Sequence, residues 1–189
     1  MINHLKNVKT TISGLFFGIC LFVFSYCGAQ EIGIKVDGGN EMVAVWHIGD
    51  DISGLLTIRG SYGTASQTTV TITDPLLVHA YNPRLAVSRE PSATIRAVSV
   101  WKSYVLLTGS FVIQLAEATN TGWAPGGIVT FSDSNEIPGD DYKVDISADG
   151  TVITLLWSTY LIIENGYVFR LETSVNGGAT WTTTYLETL

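Results

Sequence analysis

The sequence predicts an all-β protein built from three similar units, each of four antiparallel strands. Three observations predict it. Three short runs end in tryptophan, Val43-Ala44-Val45-Trp46, Val98-Ser99-Val100-Trp101 and Thr154-Leu155-Leu156-Trp157, with the tryptophans 55 and 56 residues apart. Twelve residues after each Trp stands a bulky apolar residue (Ile58, Ile113, Phe169), followed at once by a polar one (Arg59, Gln114, Arg170). The 189-residue chain is rich in glycine (19) and only 14% charged, a composition that suits many turns and a sizeable core but not a disordered chain. A period of this size marks a supersecondary unit that cannot bury its own apolar face and must stack on its neighbours.

The units fall near residues 31–76, 79–132 and 137–189. In the first, the alternating run 32–36 stops at the turn Asp37-Gly38-Gly39-Asn40. Residues 42–46 return, 47–54 make a polar turn, 55–59 form a third strand, 60–67 a loop and 69–73 a fourth strand. In the second, 85–87 enters, 88–94 turns, 95–101 runs back and 105–107 extends that strand to a turn at Thr108-Gly109-Ser110. Residues 111–117 and 128–131 complete the unit. In the third, 142–147 and 152–163 flank Asp149-Gly150, and Asn165-Gly166 is the favoured dipeptide of a two-residue hairpin. Residues 167–173 and 183–186 follow. Pro75, Pro83, Pro125 and Pro138 are all expected between strands, because proline cannot donate to a ladder.

Residues 1–29 read as an export signal, and 30–189 as the folded domain. Lys6 and Lys9 precede an apolar stretch over 15–24, and Cys27-Gly28-Ala29 supplies small residues for cleavage after Ala29. Phe24-Ser25-Tyr26-Cys27 offers a second outcome, a lipid anchor on Cys27. An uncleaved anchor is the third. Both cysteines lie in this segment, so the domain has no disulfide and depends on core burial. It keeps 8 basic and 17 acidic residues. That balance excludes nucleic acid as a partner, and any membrane contact beyond the signal or a lipid anchor. A secreted, periplasmic or cell-surface location follows.

Four-stranded antiparallel units in tandem are the blades of a β-propeller, with a two-sheet β-sandwich as the alternative. Trp46, Trp101 and Trp157 then suit the packing between blades. Trp123 and Trp181 recur 22 and 24 residues after the second and third of them. The stretch Ser174-Val175-Asn176-Gly177-Gly178-Ala179-Thr180-Trp181 resembles the Asp-box of sialidase-like propellers, Ser-x-Asp-x-Gly-x-x-Trp, with Asn176 in place of Asp. Ser174, Asn176, Gly178 and Trp181 carry that resemblance, which implies an architectural turn between the third and fourth strands of a blade. Asn120-Thr121-Gly122-Trp123 is a degenerate version. More broadly, the repeat is similar to secreted bacterial propeller repeats.

The resemblance does not extend to glycosidase chemistry. The Arg-Ile-Pro motif of sialidases is absent, and Arg59 and Arg170 stand at one recurring position, read as a surface position. No Gly-x-Ser-x-Gly occurs, and His47 and His79 lack metal-site spacing. Asp133-Ser134-Asn135 with Asp140 and Asp141 has oxygen ligands for Ca²⁺ but no recognised loop pattern, so it reads as a solvated acidic loop. No cofactor and no metal are expected, and no catalytic residue is assigned. The rim opposite the Asp-box turn gathers Tyr81, Asn82 and Arg84, then Asp140, Asp141 and Tyr142, and also His47, Asp50 and Asp51, with Tyr104 and Tyr160 at repeat-equivalent places. Tyrosine mixed with carboxylates and amides suits recognition of protein or glycan. Val105-Leu106-Leu107 and Leu161-Ile162-Ile163 either extend the packing or form an apolar partner surface.

The expected function is therefore a secreted, non-catalytic binding module for protein or glycan, with a structural or adhesion component of the cell surface as alternative and a sialidase-like glycosidase behind both. Known propellers use about four to eight blades, so three units leave apolar faces uncovered at both ends. A homodimer completing six blades, a fragment of a longer propeller and a self-sufficient three-unit fold are the readings left open.

Overall fold

The computed structural model describes residues 32–49, 56–63, 68–73, 78–131 and 133–187. The expected export signal with Cys27, the acidic pair Asp50 and Asp51, and Pro75 lie outside them. Twelve strands are described: β1 (Ile32–Val36), β2 (Met42–Gly49), β3 (Leu56–Gly63), β4 (Thr68–Thr71), β5 (Val78–Val87), β6 (Ile95–Val105), β7 (Ser110–Thr119), β8 (Gly122–Phe131), β9 (Glu136–Ile146), β10 (Ile153–Leu161), β11 (Gly166–Ser174) and β12 (Thr182–Glu187). They form three antiparallel four-stranded sheets in chain order, β1–β4, β5–β8 and β9–β12. Three sheets with no strand exchanged among them replace the two-sheet sandwich.

The repeat survives in the register. Trp46 pairs with Arg59, Trp101 with Gln114 and Trp157 with Arg170. The neighbouring pairs on the opposite face also match: Val45 with Gly60, Val100 with Leu115, Leu156 with Leu171. Because side chains alternate across a strand, each sheet has a tryptophan face and an aliphatic face. The aliphatic face of the first sheet packs on the tryptophan face of the second, burying Val43, Val45, Ile58 and Ile72 with Trp101, Ala97, Ala116 and Trp123. The aliphatic face of the second then packs on the tryptophan face of the third, burying Val98, Val100, Ile113 and Leu115 with Trp157, Leu155 and Ile153. The two cores are thus successive layers, and the second sheet is covered on both sides.

At one end, the turns between first and second strands are tied in series. Gly38 N–H donates to the Ser88 carbonyl, and Arg89 and Glu90 N–H both donate to that of Ala148. A Cβ on Gly38 would sit 2.1 Å from the Arg89 oxygen, so only glycine allows this approach. Asp37 organises the first of these turns. Its carboxylate accepts from Gly39 and Glu41 N–H and from the Tyr62 hydroxyl at 2.8 Å. Burial, and then that carboxylate, push the Tyr62 phenol well above its ordinary range.

Several boundaries differ from expectation, and those at the prolines share one reason. Pro83, Pro125 and Pro138 lie inside β5, β8 and β9, not between strands. Each is on a strand at the edge of its sheet, at or beside a register shift: between Tyr81 and Arg84, opposite the shift between Ala116 and Ala118, and opposite the shift between Trp157 and Thr159. A bulge on an edge strand removes the ladder partner that proline could not have supplied. Strands β5 and β9 therefore begin well before residues 85 and 142. Strand β2 likewise runs on through His47, and Asn165-Gly166 closes a four-residue loop over 162–165, not a two-residue one, with Asn165 at φ 53°.

Candidate functional site

The residues expected on one loop rim stand within strands. Tyr81, Asn82 and Arg84 are on β5, Asp140, Asp141 and Tyr142 on β9, and His47 on β2. The two bulges bring most of them together. Asn82 adopts φ 57° inside the β5 bulge, which turns its peptide groups out of the ladder and sideways. Its N–H donates to His47 Nδ1 of the first sheet at 3.3 Å, and its carbonyl accepts from the Tyr142 hydroxyl of the third. That hydroxyl also reaches the Tyr81 carbonyl at 3.3 Å. One bulge therefore fastens three sheets.

Lys102, the residue after Trp101, makes the matching contact in the second interface. Its ammonium lies 2.8 Å from an Asp140 carboxylate oxygen and 4.7 Å from the centre of the Phe111 ring. His47, the residue after Trp46, plays the same part in the first interface. Tyr142 is buried, and Arg84 lies 5.8 Å over its ring while remaining exposed to solvent. Tyr81 is half-buried; burial first, then the Asp140 charge, raises its phenol above the ordinary range. Asp141 is exposed.

Tyr104 and Tyr160 do not join this group. Each packs on the facing strand of its own hairpin, Tyr104 on Phe111 and Tyr160 on Tyr167, with ring centres 5.1 Å apart in both. The hairpin tips beyond them present Leu107 and Ile163 at 88% and 81% exposure. Asn135 braces the second tip by accepting from Ile162 and Ile163 N–H and donating to Glu164. Asp133 accepts from Asn135 N–H in a local turn. Among the described residues, no group of three or more His, Asp or Glu side chains is placed to hold a metal ion.

Two features were not foreseen. The first is a cleft of about 440 Å³ where β1, β5 and β9 run into the knitted turns, lined by Lys35, Val87, Arg89, Asp145, Ile146 and Ala148. Its residues come from three separate units, so no local motif announces it. The second is a buried ionic cluster on the tryptophan face of the third sheet. Arg170 meets Glu136 at 2.9 Å and Glu172 at 2.7 Å, with all three side chains at most 9% exposed. The Tyr185 hydroxyl donates to Glu136 and the Thr183 hydroxyl to Glu172, while the guanidinium lies 5.1 Å over the Trp157 ring. Burial of the Tyr185 hydroxyl and its bond to Glu136 push that phenol up to about 12. The position shared by Arg59, Gln114 and Arg170 is thus no surface position in the second and third sheets. Gln114 is buried too, accepting from Trp101 Nε1–H and Ser103 and donating to Thr130.

The turn over 174–181 joins β11 to β12 and is self-capped. Ser174 Oγ accepts from Gly178 N–H at 2.8 Å, and Asn176 Oδ1 accepts from Thr180 N–H at 2.9 Å. Trp181 meets Phe131 of the second sheet edge-on, ring centres 5.0 Å apart. Beneath the turn, Gly178 leaves room for Glu117, whose Oε1 is buried without a hydrogen-bond partner and whose pKa burial raises. No protein-family model and no curated protein matches this chain.

Proposed function

We propose that the three sheets are consecutive blades of a β-propeller, and that the domain is an exported, non-catalytic module that binds protein or glycan along its inner strands. The observation that carries the proposal is the arrangement of β1, β5 and β9. These first strands pack side by side. Together they present Lys35, Arg84, Asp140, Asp141 and Asp145 along one set of edges, with Arg89 of the turn after β5 and the cleft at one end. Mixed charges beside a half-buried tyrosine and an apolar floor of Val87, Ile146 and Ala148 fit a polar, hydrogen-bonding ligand. Meandering four-stranded sheets stacked face to face, with first strands adjacent, are the arrangement of propeller blades.

A non-catalytic reading is supported by the Arg170 cluster. It holds an arginine, two glutamates and a tyrosine, yet the guanidinium is shared between the two buried carboxylates inside the sheet interface. A glycan array and a pull-down with the 30–189 domain test the proposal, each repeated with Arg89→Ala and Lys35→Ala. Specific binding that falls at least about 10-fold in the variants, with thermal stability kept, is expected. Silence in both assays would favour the structural or adhesion role, and undiminished binding by the variants would remove the cleft from the site.

A further inference from the structure

Among the described residues, the two outermost sheet faces are the two unlike halves of one interface that the molecule already contains twice. Among the described residues, no sheet lies against the tryptophan face of the first sheet, where Ala44, Thr57 and Ser61 are nonetheless buried, or against the aliphatic face of the third. The equivalences follow from strand register alone. Phe169 on the free aliphatic face corresponds to Ile58 and Ile113; they are 0% exposed, whereas Phe169 is 40% exposed. Leu156 corresponds to Val45 and Val100, and Leu171 to Leu115, all fully buried, while Leu156 and Leu171 are only half-covered. Ile137, Tyr167 and Leu186 extend this face, each more than 40% exposed. At the other end, Trp46 is half-covered where Trp101 and Trp157 are buried, and Ile34 and Val36 stand exposed beside it.

We propose that a second copy of this chain covers both faces, the third sheet of each copy packing on the first sheet of the other. The faces differ, so each copy supplies one half of each contact. Two such contacts related by a two-fold axis close a ring of six sheets, within the range that closed propellers use. A third occurrence of a packing that the molecule makes twice needs no new surface. Ser158 marks the join. It holds the place that His47 and Lys102 hold in the two internal interfaces, where each reaches the bulged first strand of the following sheet. This inference stands on register and exposure and is independent of any ligand at the cleft.

Light scattering on the exported chain, with Phe169→Glu, Leu186→Glu and Ile34→Glu variants, tests it. The unaltered protein is expected at twice the chain mass. Each variant places a carboxylate on an exposed position, so circular dichroism should be unchanged while dimerisation weakens at least about 30-fold, the effect of burying one unpaired polar group. The decisive arm mixes Phe169→Glu with Ile34→Glu. Such a pair retains one intact contact, so the mixture should recover dimer that neither variant forms alone. A monomer at tens of micromolar would overturn the proposal. So would a dimer abolished by Phe169→Glu but untouched by Ile34→Glu, which would mean that like faces pair. Masses that grow with concentration beyond two copies would overturn closure.

Discussion

Replacing Arg170 by methionine should be the most damaging single change among the charged residues described. Methionine fits the slot over Trp157 but leaves Glu136 and Glu172 facing one another inside the interface with no cation. Removing one partner from a buried ion cluster typically costs about 3–5 kcal/mol, because the remaining charges stay desolvated. With a urea slope of about 1–3 kcal/mol per molar, the unfolding midpoint should drop by about 2 M at pH 7.5. Adding Glu136→Gln and Glu172→Gln to Arg170→Met should restore most of the midpoint at pH 7.5. A single variant within about 0.5 kcal/mol of the parent, or a triple variant no more stable than the single one, would refute the reasoning.

Two further changes test the packing. Glu117→Gln should raise the melting temperature at pH 7.5 and lose that advantage towards pH 4, because the raised pKa of Glu117 makes its contribution favourable only at low pH, where the carboxyl is protonated; equal melting points across that range would sink the assignment. Gly60→Ala would put a methyl 2.7 Å from Trp123 and 2.8 Å from Ile72, so calorimetry should show a loss of about 1–3 kcal/mol, or roughly 2–10 °C.

The tryptophan spacing made the three units legible because the same register recurs in each sheet, and register links sequence distance to spatial position. Strand ends were less legible. Asn82-Pro83 and Asp140-Asp141 have the chemistry of loops, and only the bulges, which depend on neighbouring sheets to satisfy the displaced peptide groups, keep them in strands. Tyr104 and Tyr160 share a place in the repeat with each other but not with the bulge residues, and so pair within their hairpins. The Arg170 cluster was hidden for another reason. Arg170 and Glu172 alternate with apolar residues as on a solvated strand face, yet that face is covered, and Glu136 comes from 34 residues away. Burial on both sides of a sheet is a tertiary fact that alternation alone does not report.

The middle sheet carries one surface of each kind, matched on one side to the first sheet and on the other to the third. Such a unit is modular in the way a tile with a tongue and a groove is modular. A further copy inserted beside it would find both of its faces complementary to what it meets, with the Gly38–Ser88 and Arg89–Ala148 ties extended by one more turn. Lengthening by whole units therefore preserves every existing contact. Lengthening by a few residues inside a unit shifts the register on which both cores depend. Descent by duplication of segments of about 55 residues, with little tolerance for small insertions within strands, is the evolutionary behaviour this architecture implies.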